Sequence, residues 1–203
     1  MKVYFYGDSN TYGYDPRSMY GGRYPADCRW PDILQKMVKP GVSVIADGMN
    51  GRMIPDQEYA LTYLKRELRE EAPIDLFAVM LGTNDVLNGS GLGSGRIIRK
   101  MEEFCESLSC MGSMKIALIT PPPIKIAGEA GRAYQTSMEQ VCAGYRETAQ
   151  RHGWLLIDTE NWDLDMAYDG VHLSEQGHRT FAARMAEKLK NLLSSIDWRF
   201  RLD

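Results

Sequence analysis

Five short apolar runs recur along this chain, at residues 2–6, 42–46, 76–81, 115–120 and 154–158, and stretches with helical spacing lie between them. Most runs are bounded by Gly, Pro or Asp, as buried strands are. Leu61, Leu64 and Leu68 mark one helical face within 56–70; Ile97, Ile98, Met101, Phe104, Cys105 and Leu108 mark another. Residues 138–150 and 175–193 carry two more. A shorter helix is expected over 31–38, with Pro31 in its first turn and Pro40 past its end. Strands alternating with helices imply a parallel sheet covered on both faces, so the expected fold class is α/β. Right-handed crossovers then bring every strand's carboxyl end to one edge, where ligand sites of such sheets collect.

The chain's 203 residues are enough to bury a core, and no repeat or linker divides them, so one domain over 1–203 is expected. A net charge of −3 gives no electrostatic case for a nucleic-acid partner. No apolar stretch reaches the length of a membrane span. A cleavable signal would remove the polar turn after the first run, so none is expected. Cys28, Cys105, Cys110 and Cys142 form no Cys-x-x-Cys pair, and reduced thiols in a cytoplasmic protein are the expectation. His152, His172 and His178 are scattered and lack His-Glu-x-x-His spacing, so neither a metal nor another cofactor is expected. The Gly-rich segment 89–95 lacks phosphate-loop spacing and reads as a mobile loop beside a pocket.

The polar clusters follow the strands. Gly7-Asp8-Ser9-Asn10 ends the first run and holds a hydroxyl at the sheet edge. Alone, Ser9 reads better as a helix cap than as a nucleophile, because a free serine hydroxyl needs a neighbouring base. Asp169-Gly170-Val171-His172 supplies one. A carboxylate three residues before an imidazole can hold Nδ1–H and leave Nε2 free to take the serine proton. Ser174 is a plausible cap for the helix that follows. Asn84, in Gly82-Thr83-Asn84-Asp85, puts a side-chain amide where an oxyanion could be met, although a turn after a strand explains it as well. Gly51 frees a backbone amide for close approach, or simply makes a turn. Tyr12, Tyr14, Trp162 and Tyr168 lie near these blocks; Tyr12 and Trp162 are the expected substrate-binding pair, with packing an equal alternative.

These blocks, in this order, resemble the SGNH hydrolases, also called the GDSL esterase/lipase family. The resemblance spans nearly the whole chain. Arg29-Trp30 and Pro121-Pro122-Pro123 are similar to the small arylesterase and acyltransferase branch. It implies a flavodoxin-like three-layer α/β/α sandwich with a five-stranded parallel sheet. It also implies Ser9 as nucleophile, His172 as base and Asp169 as the orienting acid. The oxyanion donors would be the Ser9 and Gly51 amides and the Asn84 side chain. Asn10 stands where the family name has Leu, a departure that bears on substrate preference more than on chemistry. The chain order Ser, Asp, His also matches the α/β-hydrolases, but no Gly-x-Ser-x-Gly elbow surrounds Ser9.

The expected function is a serine esterase acting on small acetyl or short-acyl esters of aryl or carbohydrate alcohols. Its partner is a small-molecule ester. A catalytically inactive carbohydrate- or lipid-binding module of the same fold is the alternative; a nucleotide-binding flavodoxin-like protein comes third. The tail carries Trp198 and Phe200, which could pack across the domain or against another subunit, and so leaves a homo-oligomer open.

Overall fold

The structure, a computed structural model, describes residues 1–88 and 93–195. The segment 89–92 and the tail with Trp198 and Phe200 lie outside the described residues. In chain order the elements are β1 (Lys2–Gly7), α1 (Ser9–Tyr12), α2 (Trp30–Met37), β2 (Ser43–Gly48), α3 (Glu58–Glu70) and β3 (Leu76–Met80). They continue with α4 (Thr83–Asn88), α5 (Ser94–Ser109), β4 (Lys115–Ile119), α6 (Gly128–His152), β5 (Leu155–Ile157) and α7 (Glu175–Ser195).

The five strands form one sheet in the order β2-β1-β3-β4-β5, and every pairing is parallel. Side chains alternate across a strand, and β1 shows the consequence. Tyr4 and Tyr6 join a core with Leu64 and Leu68 of α3, Phe104 of α5 and Val141 of α6. Val3 and Phe5 join the opposite core with Trp30 and Leu34 of α2 and Phe181 and Met185 of α7. Three helices therefore cover one face and two the other, which is the expected α/β sandwich.

Two expectations are corrected. The run at 42–46 was expected to be buried; β2 instead has no buried residue, because it is an edge strand. The helix expected over 138–150 begins at Gly128. Its first ten residues are mostly exposed and carry no apolar stripe for a periodicity to reveal.

The chain runs from β1 outward to β2 and then returns to the other side of β1 as β3. Strand order reverses there, and a crevice opens at the carboxyl ends of such strands. Gly7 is in register with Gly48 of β2 and Met80 of β3. The segments bearing Ser9, Gly51 and Asn84 consequently leave the sheet side by side.

Candidate active site

Helix α1 begins one residue after β1. Its cap is Asp8, whose Oδ1 accepts the Asn10 N–H at 2.9 Å. The cap role considered for Ser9 thus belongs to its neighbour, and Ser9 stands as the first helical residue. Close packing holds the turn down. A Cβ on Gly48 would lie 2.1 Å from the Tyr12 backbone nitrogen, so α1 sits directly on the end of β2 only because residue 48 is glycine. Burial pushes the Asp8 carboxyl up to about 6, against the pull of the Asn10 amide, His172 and Arg52.

The loop after β5 brings the imidazole to this turn. His172 Nε2 lies 2.9 Å from Ser9 Oγ, and His172 Nδ1 lies 2.6 Å from Asp169 Oδ2. An ionised carboxylate can only accept, so Nδ1 carries the proton and Nε2 is left to accept from the serine hydroxyl. Asp169 Oδ1 accepts the backbone N–H groups of Val171 and His172, each at 3.0 Å. Burial raises the Asp169 carboxyl, but the His172 ring and the two amides outweigh it and hold it below the usual carboxylate range. Tyr14 covers the imidazole, with ring centroids 4.6 Å apart. Ser174 caps α7 as expected, its Oγ accepting the Gly177 N–H at 3.0 Å.

Arg52 fastens the second block to the first. It donates to the Gly7 carbonyl at 2.8 Å and to Asp47 Oδ1 at 2.7 Å, and its guanidinium lies 4.0 Å from the Tyr6 ring centroid. Asn84, at the start of α4, donates from Nδ2 to the Arg52 carbonyl at 3.0 Å. That bond fixes which end of the amide is the donor and leaves its second N–H unused by Arg52. Asp85, fully buried, accepts from the Ile54 amide at 3.1 Å and pairs with Lys100 of α5 at 3.1 Å. Gly51 has φ +73°, and a Cβ there would meet nothing within 4 Å. Backbone conformation, rather than close packing, therefore requires glycine at 51.

The aromatic expectations divide. Tyr12 is half-buried on α1, its ring 4.4 Å from the Arg23 guanidinium. Trp162 is only 5% exposed and packs edge-on against Phe181 in the core, so its ring is not offered to a ligand. His178 is likewise a packing residue, wholly buried and edge-on to Tyr24. His152 is occupied by Glu102 at 2.6 Å. Two features escaped the sequence reading: the Arg52 brace and the grip of Asn10 on the His172 loop. The Arg52 bond to Gly7 and both Asn10 bonds are long-range contacts with no local pattern to announce them.

Residues 5–180 match the family model for GDSL-like lipase/acylhydrolases. The chain belongs to that family. Among solved structures it is similar to a putative arylesterase from Agrobacterium tumefaciens str. C58 (25% identity, TM-score 0.81, covering 94% of this chain and 98% of that one). It is similar to a carbohydrate acetylesterase family member from Sinorhizobium meliloti (26% identity, TM-score 0.77, covering 95% and 99%). It also shares its fold with the M. Smegmatis aryl esterase (21% identity, TM-score 0.81, covering 94% and 99%). No curated protein sequence matches the chain. Among the described residues, no helix is long and apolar enough to cross a membrane.

Proposed function

We propose that this family member is a serine esterase that cleaves small carboxylic esters through an acyl-serine intermediate. The observation that carries the reading is the unbroken hydrogen-bonded chain from Ser9 through His172 to Asp169, at 2.9 and 2.6 Å. Ser9 Oγ attacks the ester carbonyl as its proton passes to His172 Nε2. Asp169 holds the tautomer and stabilises the imidazolium that forms. The tetrahedral oxyanion is met by the Ser9 and Gly51 amides and by the free N–H of Asn84. Imidazolium then protonates the leaving alkoxide, and the alcohol departs. Water, or a second alcohol, repeats the sequence on the acyl-serine and frees the enzyme.

The arylesterase and acetylesterase relatives support acetyl or short acyl groups on aryl or carbohydrate alcohols as the substrate class, with Tyr12 beside the crevice as a substrate contact. The test is hydrolysis of p-nitrophenyl acetate, butyrate and octanoate and of acetylated sugars, by wild type and Ser9→Ala. Turnover of the shorter esters is expected, with none above background in the variant. Undiminished turnover in Ser9→Ala would exclude the mechanism, and tight sugar binding without turnover would favour an inactive binding module.

A further inference from the structure

Asn10 is one residue from the nucleophile and only 1% exposed. Burial removes it from contact with a substrate, contrary to its expected bearing on substrate preference. Its side chain reaches instead across to the far end of the chain. Nδ2 donates to the Val171 carbonyl at 3.2 Å, and Oδ1 accepts the Leu173 N–H at 2.8 Å. Those two backbone groups belong to the residues on either side of His172. A primary amide presents one donor end and one acceptor end, and here each end meets its complement. Turning the amide over would set donor against donor.

The backbone of Asn10 is held as firmly. Its N–H donates to Asp8 Oδ1 at 2.9 Å, and its carbonyl accepts Trp30 Nε1–H at 2.9 Å. Trp30, the first residue of α2, is wholly buried in the core that α2 and α7 build against the sheet. Each polar group of Asn10 thus has a partner, and the clamp is anchored to the packed interior. Among the described residues, the hydrogen bonds joining α1 to the His172 loop are the two side-chain bonds of Asn10 and the Ser9–His172 bond itself. The loop's other ties include Ala167 N–H to His172 O within itself, Lys125 N–H to Gly170 O from the connection after β4, and Tyr168 Oη–H to the Pro16 carbonyl beyond α1. None of those reaches α1 itself.

We propose that Asn10 is a positioning residue whose amide fixes the His172 imidazole against Ser9. The inference rests on the esterase reading above. A leucine at this position could make neither bond. It would leave a buried N–H and a buried carbonyl unpaired, and the Ser9–His172 bond as the one hydrogen bond, among the described residues, between α1 and the loop. A displacement of about 1 Å in a reacting group costs on the order of 100-fold in rate.

The test compares wild type with Asn10→Leu, using p-nitrophenyl acetate kinetics, the rate of fluorophosphonate labelling, and thermal unfolding. The labelling endpoint counts competent Ser9 sites, so kcat is expressed per site. Asn10→Leu is expected to lower kcat per site and the labelling rate constant together, by about 100-fold, with KM within threefold of wild type. Asn10→Ser, small enough to admit water to both partners, is read by the same criteria if Asn10→Leu does not fold. An unchanged kcat per site with a lowered Tm would make Asn10 merely structural and overturn the proposal. A rise in KM alone would do the same, as the mark of a substrate contact. Wild-type protein that neither turns over esters nor takes the label would remove the esterase reading and this inference together.

Discussion

Replacing Asp169 by Asn keeps the shape of the site and changes only its electrostatics. The Asn carbonyl oxygen can still accept the Val171 and His172 amides that Oδ1 accepts now at 3.0 Å. The amide NH2 then faces His172 Nδ1, now 2.6 Å from a carboxylate oxygen. A donor there forces Nδ1 to accept, which moves the ring proton to Nε2 and leaves the imidazole unable to take a proton from Ser9. The variant also loses the negative charge beside the imidazolium. Two unit charges about 4 Å apart at an effective dielectric near 20 attract by roughly 4 kcal/mol, about a thousandfold in rate. With the tautomer penalty included, kcat is expected to fall by roughly 10³ to 10⁴ while KM stays within a few-fold. The assay is steady-state hydrolysis of p-nitrophenyl acetate, with thermal unfolding to verify that the fold persists. Less than a tenfold loss of kcat in a folded Asp169→Asn variant would refute the role assigned to the carboxylate.

Asn84→Ala is expected to lower kcat by about 10²–10³-fold and to leave KM nearly unchanged, as loss of a transition-state donor should; a pure KM effect in the same assay would make Asn84 a substrate grip. Lys100→Met strands the buried Asp85 carboxylate, and urea denaturation should show a loss of roughly 3–4 kcal/mol at pH 7. Burial already raises the Asp85 carboxyl, and without Lys100 it takes up a proton more readily still, so the deficit should shrink on acidification. Burial depresses His178 from 6.5 to about 3. The unfolded chain therefore binds the extra proton first, and stability is lost as pH falls below about 6.5, by up to about 1.4 kcal/mol per pH unit. Asp8, raised to about 6, works in the opposite sense between its ordinary value and 6. His178 Nδ1 accepts the Trp30 backbone N–H at 3.4 Å, and His178→Asn keeps an acceptor there, so its difference in unfolding free energy from wild type isolates the histidine's part; a difference independent of pH would contradict it.

What could be read from the chain was what is local. Each of the five strands was visible as a short apolar run, and the Asp169–His172 pair as a three-residue spacing. Ser9, Gly51 and Asn84 could be placed at one edge because parallel topology leaves the carboxyl ends of β1, β2 and β3 together. Helix α4 was missed, and α1 was visible only through the cap reading of Ser9, because 6 and 4 residues are too few to display a 3.6-residue period. Strand β2 runs past the apolar run at 42–46 through Asp47 and Gly48, because an edge strand has no need of apolar residues at its end. Trp162 misled through sequence proximity: it lies ten residues before His172, yet the chain turns it inward onto Phe181. The grip of Asn10 on residues 171 and 173 spans most of the chain, and no spacing rule reaches that far.

The most direct measurement is the intact mass and peptide map of the protein after exposure to a fluorophosphonate. One phosphonyl adduct per chain is predicted, on Ser9, formed in wild type and absent from Ser9→Ala and, on the same time scale, from His172→Ala. An adduct on any other residue, or no adduct in folded wild-type protein, would contradict an activated serine at the end of β1.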